Sequence, residues 1–280
     1  MHRCPLRFLL TLTCCLILPC ASRAAQSAPA LPDRAHFHLF LLIGQSNMAG
    51  RGTVTPDDTN APARVLMLSQ AGSWVPARDP MHFDKPIAGV GLGRSFGMHL
   101  AHENPGITIG LIPAAVGGSP IDSWRPGQFY APTQSYPWDD AMARARLAMK
   151  DGTLKGILWH QGESDATPEL APAYAAKLAD LVHRLRRDLR SPEVPFIVGQ
   201  LGRFKDAPWT DSTRTVDRAQ QDLKRHVRRV AFVPANGLEH NGDKLHFNAA
   251  AYREFGHRYA TVYCKLAQRP RRLPRTRGGE

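Results

Sequence analysis

Residues 38–50 read His-Leu-Phe-Leu-Leu-Ile-Gly-Gln-Ser-Asn-Met-Ala-Gly, an apolar run that leads directly into a small-residue turn carrying one serine, Ser46. An apolar run of this length without polar alternation is typical of a strand in a parallel sheet that is buried on both faces. The residues after such a strand lie at the carboxyl end of the sheet, where open α/β folds bind their ligands. We therefore expect Ser46 to lie at a ligand-binding edge.

Similar runs recur along the chain and alternate with helical patterns. The strand-like runs are at 38–43, 64–68, 107–112, 155–159, 196–200 and 230–233. The helical patterns are at 92–103, 138–149, 170–189, 213–228 and 248–266. Such alternation predicts an α/β fold with a doubly wound parallel sheet. Three stretches rich in Pro, Gly, Asp and aromatic residues are predicted to be loops over the active-site edge: 51–63, 69–88 and 123–137.

Near the other end of the chain, Asp243-Lys-Leu-His246 places a carboxylate three residues before an imidazole. These are the two groups that turn a serine into a nucleophile. Taken singly, a serine in a turn and an Asp-x-x-His are both more typical of helix caps and turns. Two further segments lie between them and follow apolar runs, Ala-Val-Gly-Gly-Ser-Pro-Ile-Asp-Ser-Trp at 115–124 and Trp-His-Gln-Gly-Glu-Ser-Asp at 159–165. The arrangement of all four favours a serine hydrolase.

These four segments, in this order, resemble the SGNH hydrolase superfamily, and most closely its sialate O-acetylesterase-like branch, which includes acetylxylan esterases. The similarity extends from about His38 to about Ala260. Gln161 stands where the superfamily has asparagine, a departure typical of this branch. The segment around Ser46 lacks the Gly-Asp-Ser-Leu motif of the wider superfamily, so its lipase-like members are poorer analogues. The resemblance implies a single-domain, three-layer α/β/α sandwich of the flavodoxin-like SGNH type over residues 36–267.

Hydrolysis of an ester by a serine requires a nucleophile, a base and a group that orients the base. Ser46 is the expected nucleophile, His246 the general base and later the acid, and Asp243 the group that fixes the imidazole tautomer. The resembled family gives these positions the same roles. Four other histidines are rival bases, but none has a carboxylate at the Asp243 spacing within a family motif: His36, His38, His160 and His240.

The resemblance also implies donors for the oxyanion that forms during hydrolysis. The candidates are the backbone N–H of Ser46, an N–H of Gly117 or Gly118, and the side-chain amide of Gln161. Glu163 has three interpretations: a surface group, an anchor for the turn, or a second carboxylate near the histidine. We favour the anchor, with a direct partner of the histidine as the second interpretation.

The first 25 residues predict a secretory signal. A basic start precedes the apolar run Phe8–Cys20 and the small-residue stretch Ala21–Ala25, and the run is too short for an ordinary membrane span. Cleavage near residue 24 or 25 would give a periplasmic or secreted protein, with a lipoprotein as the weaker alternative. Cleavage would leave Cys264 as the single cysteine, an expected small buried hydrophobe, because the others lie in the signal: Cys4, Cys14, Cys15 and Cys20.

The formal charge of +12 does not indicate nucleic-acid binding. Part of the excess lies in the segment 268–280, whose five arginines, prolines and glycines predict a disordered, solvated tail. The sequence contains no zinc-finger, RNA-binding or basic-zipper pattern. It also lacks His-Glu-x-x-His and paired-cysteine patterns, so we expect neither a metal nor another cofactor.

The resemblance and the expected export together indicate a carbohydrate O-acetyl ester as substrate. Five side chains are candidates for sugar contacts: Trp124, Arg125, Tyr130, Trp138 and Trp209. The resemblance implies a short acyl pocket closed by loop residues such as Pro120, Ile121 and Trp124. Two alternatives stay open, a thioesterase or lipase-like acyl hydrolase and a silent glycan-binding module, as do the identity of the sugar and the oligomeric state.

Overall fold

A computed structural model describes residues 31–268 of the chain. The predicted signal and all but the first residue of the predicted tail lie outside this range. The strands form one seven-stranded sheet in the order β3-β2-β4-β1-β5-β6-β7. Their bounds are β1 Phe37–Gly44, β2 Val65–Leu68, β3 Trp74–Pro76, β4 Thr108–Pro113, β5 Thr153–His160, β6 Phe196–Gly199 and β7 Val230–Val233. All neighbours pair in parallel except β2 and β3.

Helices cover both faces of this sheet. Their bounds are α1 Ser46–Ala49, α2 Leu92–Glu103, α3 Pro137–Ala148, α4 Tyr174–Asp188, α5 Asp211–His226 and α6 Ala249–Ala267. Helices α3, α4 and α5 pack with Leu39 and Leu41 of β1 in one apolar cluster. Helices α2 and α6 pack with Phe40 and Leu42 in the other. Because both faces of β1 are covered, its sequence shows no polar alternation, and the predicted three-layer doubly wound fold is confirmed.

One strand lies where the sequence predicts a loop. The stretch 69–88 is predicted to be loop, but it contains β3, which pairs antiparallel with β2 through Leu68 and Trp74 at the edge of the sheet. Three residues that end in a proline give no readable strand pattern, so pairing to an existing edge decides this element.

The position of β1 explains where a site can form. Its hydrogen-bonded neighbours are β4 on one side and β5 on the other. The segments after these three strands therefore meet at the carboxyl edge of the sheet, beside a switch in strand order. These are the segments that contain Ser46, the Gly117–Gly118 turn and Gln161. Among residues 31–268, no helix is long and apolar enough to cross a membrane.

Candidate active site

The turn after β1 holds Ser46 at a fixed place. Gln45 donates its backbone N–H to the carbonyl of His160 at 2.9 Å, so the turn is attached to the end of β5. Gly44 has φ of 131°, and a Cβ there would lie 2.1 Å from the His160 carbonyl oxygen. Only glycine fits this close approach. Ser46 is then the first residue of α1.

The structure brings His246 and Asp243 to Ser46 from the loop before α6. Ser46 Oγ lies 2.8 Å from His246 Nε2, and His246 Nδ1 lies 2.5 Å from Asp243 Oδ2. An ionised carboxylate only accepts hydrogen bonds, so Nδ1 carries the proton and donates to Asp243. Nε2 is then unprotonated and accepts from the Ser46 hydroxyl. This is the tautomer in which the imidazole can take a proton from serine.

Asp243 is held as an anion although it is close to solvent. Its Oδ1 accepts the backbone N–H groups of Leu245 at 2.8 Å and His246 at 2.7 Å. Partial burial acts to raise its pKa, but the backbone N–H and the ring of His246 outweigh it, and the Asp243 pKa lies below its ordinary value of 3.8. The side chain is 43% exposed and that of His246 is 16% exposed. Substrate therefore has access to the imidazole.

The rival histidines have other partners. His160 is fully buried and lies 2.9 Å from the carbonyl of Gln200 through Nε2, and burial lowers its pKa. His240 pairs with Asp206 at 3.0 Å, while its Nδ1 accepts the N–H of Gly242 at 2.8 Å. These two contacts of His240 lie within and beside the loop that carries Asp243. The remaining two lie at the amino-terminal end of β1: His36 and His38.

The glycine turn after β4 contains one occupied N–H and one free N–H. Gly117 donates to Asp84 Oδ2 at 2.8 Å, and the same carboxylate binds Arg51 at 2.8 Å. Among the described residues, no protein acceptor binds the N–H of Gly118 or of Ser46. Gly118 has φ of 83°, which favours glycine. Of the two glycines that the sequence left as alternative donors, Gly118 is therefore the one whose N–H is free in this structure.

Gln161 uses its side-chain amide within the protein. Its Nε2 donates to the carbonyl of Ser119 at 3.2 Å and to Asp165 Oδ2, and its Oε1 accepts the hydroxyl of Tyr174 at 2.9 Å. Both amide protons are thus used inside the protein, and the residue is fully buried. In this arrangement Gln161 joins the turn after β4 to the turn after β5 and has no proton left for an oxyanion.

Glu163 binds Asn47, the residue after the serine, and not His246. Its Oε1 accepts the Asn47 side-chain amide at 2.6 Å. Both ring nitrogens of His246 already have partners, Ser46 and Asp243. Sequence reasoning did not single out Asn47. The available signal was its position beside Ser46 in the Gly-Gln-Ser-Asn motif.

The candidate sugar contacts divide by burial. Trp124 and Trp138 are core residues, exposed by 0% and 3%, so they cannot stack on a sugar. Trp124 supports the turn from behind by donating to Ser119 Oγ at 3.0 Å. By contrast, the Tyr130 hydroxyl and Lys85 Nζ lie 3.0 and 4.0 Å from where a Cβ on Gly118 would be. These two groups lie beside the Gly117–Gly118 turn. Ile121 is also buried, so it can close an acyl pocket only from behind.

Comparison with known proteins identifies the family. The family model described as carbohydrate esterase, sialic acid-specific acetylesterase, matches residues 36–265. A probable carbohydrate esterase of Arabidopsis thaliana is 32% identical over 268 residues, covering 88% of this chain and 96% of the relative. An X-ray structure of an Arabidopsis thaliana protein superposes with a TM-score of 0.72 at 30% identity, covering 81% of this chain and 98% of that one.

A carbohydrate acetylesterase from Xanthomonas citri shares the fold at 19% identity with a TM-score of 0.63, covering 83% of this chain and 56% of that one. The chain belongs to the sialic acid-specific acetylesterase family of carbohydrate esterases, as the sequence motifs predicted. It is a carboxylic ester hydrolase of the carbohydrate acetylesterase type.

Proposed function

We propose that this carbohydrate esterase removes O-acetyl groups through an acetyl-enzyme intermediate on Ser46. The observation that carries the proposal is the continuous hydrogen-bond chain from Ser46 Oγ through His246 to Asp243, with distances of 2.8 and 2.5 Å. The chain has the tautomer needed for proton transfer from serine. Glycan binding alone would not require a hydroxyl joined to a base and a carboxylate, which disfavours the silent binding module.

The first half of the reaction forms the acetyl-enzyme. As Ser46 Oγ attacks the acetyl carbonyl carbon, His246 Nε2 takes its proton, and Asp243 stabilises the imidazolium. The N–H groups of Ser46 and Gly118 donate to the oxyanion, and one such donor contributes about 3 kcal/mol to transition-state stabilisation. The intermediate expels the sugar oxygen, which takes the proton from His246. The acetyl group stays on Ser46.

The second half releases acetate. Water attacks the acetyl-enzyme carbonyl while Nε2 accepts its proton, and the same two N–H groups bind the second oxyanion. Collapse of this intermediate breaks the bond to Ser46 Oγ, which recovers its proton from His246. The enzyme returns to its starting state, and no metal or redox group takes part in these steps.

The sugar side of the site is assigned to the surface beside Gly118. The Tyr130 hydroxyl and the Lys85 ammonium converge on this turn, and both can donate to sugar oxygens. We assign them to binding of the sugar that bears the ester. Export to a compartment that contains glycans is part of the proposal and is supported by the signal-like residues 1–25.

An acyl-chain panel tests the reaction against the lipase or thioesterase alternative. The buried Ile121 and Trp124 leave little room to widen the site from behind, so overpacking should penalise longer acyl groups. We expect p-nitrophenyl acetate to have a higher kcat/KM than the butyrate, and the octanoate to be nearly inert. We also expect the enzyme to release acetate from an acetylated oligosaccharide. A preference that rises with chain length would contradict the acetylesterase proposal.

A further inference from the structure

Asn47 joins the turn that carries Ser46 to the loop that carries His246. It directly follows the serine and is fully buried. Its Nδ2 donates to Glu163 Oε1 at 2.6 Å and to the carbonyl of Leu245 at 3.1 Å. Each amide proton therefore has an acceptor, one of them in the residue before His246.

The other side of the same amide binds the residue after His246. Asn47 Oδ1 accepts the hydroxyl of Tyr252 at 2.6 Å and lies 3.4 Å from the backbone N–H of Phe247. Two donated and two accepted hydrogen bonds exhaust the capacity of a side-chain amide. Leu245 and Phe247 flank His246, so Asn47 binds the backbone on both sides of the base.

We propose that Asn47 is a positioning residue that fixes the distance between Ser46 Oγ and His246 Nε2, an inference that rests on the proposed serine mechanism. Ser46 and Asn47 are consecutive, so any shift of the loop relative to Asn47 is also a shift relative to the nucleophile. Asp243 lies on the same loop as His246 and bonds both its backbone N–H and its ring, so the two residues form one hydrogen-bonded unit. The polar attachment through Asn47 holds this unit against the serine.

The partners of the Asn47 side chain, Glu163 among them, explain why an amide is required at position 47. The carboxylate needs a donor, and so does the Leu245 carbonyl, whereas Tyr252 needs an acceptor. A carboxylate at position 47 supplies no donor when ionised, and an alcohol is too small to reach all the partners. Glu163 Oε2 is buried without a hydrogen-bond partner among the described residues. Loss of the Asn47 donor would leave this carboxylate still less compensated.

The first test is N47D, compared with N104D. Asn104 also donates its side-chain amide to a backbone carbonyl, that of Leu100 at 2.8 Å, but lies at the end of α2 and outside the site. For N47D we expect kcat on p-nitrophenyl acetate to fall about 100-fold, the scale of a misplaced reacting group, with KM nearly unchanged. N104D should retain the wild-type kcat. An N47D variant with wild-type kcat would overturn the proposal.

The double variant N47D/E163Q separates positioning from simple support of Glu163. Exchange of the amide and the carboxylate restores a donor–acceptor pair between positions 47 and 163. It does not restore the donor to the Leu245 carbonyl, which would face a carboxylate oxygen. We expect the double variant to regain thermal stability relative to N47D but to keep a reduced kcat. Full recovery of kcat would show that the link to the His246 loop is dispensable and would overturn the proposal.

Tyr252→Phe keeps the proposal testable if N47D does not fold. It removes one hydroxyl from Asn47 Oδ1, and loss of one hydrogen bond should lower kcat about two- to tenfold at unchanged KM. The rate of Ser46 labelling by an organophosphonate should fall in parallel. An unchanged kcat and labelling rate would overturn the positioning role. Failure of the wild-type enzyme to hydrolyse any ester or to be labelled would instead contradict the proposed function.

Discussion

Two segments at the carboxyl edge of the sheet differ in how they hold polar groups. The loop 240–247 carries Asp243 and His246 near solvent, where the His246 ring bonds Ser46 and Asp243, and Asp243 also accepts two backbone N–H groups of its own loop. The segment 160–165 carries Gln161 and Asp165 in the interior, where the Gln161 amide bonds Ser119, Asp165 and Tyr174, and Asp165 also accepts the N–H of Ile121. The exposed loop can exchange protons with a substrate, whereas the buried segment can only hold neighbouring turns in place.

Asp165 and Asp243 have opposite pKa shifts. Burial raises the pKa of Asp165, and the hydrogen bonds from Gln161 and the Ile121 N–H only partly offset it. Partial burial of Asp243 is outweighed by the hydrogen bonds from His246, so its pKa is lowered. A carboxylate that must remain ionised beside an imidazolium is therefore better placed on the exposed loop.

The largest expected effect comes from Ser46→Ala, which removes the proposed nucleophile between the two segments. Activity on p-nitrophenyl acetate should fall by at least about 10⁴-fold, the scale of losing a triad member. The midpoint temperature of thermal unfolding should change little, because the substitution removes only one hydroxyl group from a turn. A serine-directed organophosphonate should add one mass increment to the wild type and none to the variant. Labelling of the variant would identify another nucleophile.

His246→Ala and Asp243→Asn test the exposed loop. His246→Ala removes the proposed base and Asp243→Asn the charge proposed to orient it, so both should lower kcat by about 10²- to 10⁴-fold with little change in KM. Steady-state kinetics on a soluble acetyl ester measures both. His240→Ala is the loop control and should affect stability more than kcat. A larger kcat loss for His240 than for His246 would reverse the assignment of the base.

Gln161→Ala tests the buried segment. Because its amide protons bind Ser119 and Asp165, the main loss should be stability, about 2 kcal/mol for buried partners left unpaired. The remaining kcat should lie within about tenfold of the wild type once folding is maintained, since no oxyanion donor is removed. Denaturant unfolding measures the loss of stability, and steady-state kinetics at low temperature, where the variant stays folded, measures the loss of kcat. A loss of about 10³-fold in kcat at wild-type stability would restore Gln161 to the oxyanion site.

The smallest expected effects are in the pH dependence of stability. Native Asp165 binds a proton more tightly than the unfolded chain, so its contribution to stability falls as the pH rises above 3.8 and through its raised pKa. Native Asp243 binds a proton less tightly, so its contribution is lost as the pH falls below 3.8 and through its lowered pKa. Asp165→Asn should flatten the first slope and Asp243→Asn the second, with the smaller change at the exposed Asp243. Denaturant unfolding across pH checks both signs.

Much of the fold was readable from local pattern, and the failures have physical causes. The runs that predict β1 and β5 are apolar on both faces, so they identify central strands directly. Strand β3 has only three residues, and it forms by pairing with the edge of β2, which the local sequence does not reveal. Trp124 is a residue type that often stacks on sugars, so the sequence makes it a candidate for sugar binding. It is instead buried against Trp159, with ring centroids 5.3 Å apart, and this contact joins residues that are distant in the chain.

The sequence by itself determined the alternating α/β order, the serine after a buried strand and the Asp243–His246 spacing. These features follow from side-chain periodicity and from motifs a few residues long. Only the tertiary structure decided that the hydroxyl and the imidazole meet and that the Gly117 and Gln161 donors are already bound. It also decided that Asn47 binds the backbone beside His246. Such contacts join residues up to about 200 positions apart, and no local pattern encodes which hydrogen-bond partner a buried group will find.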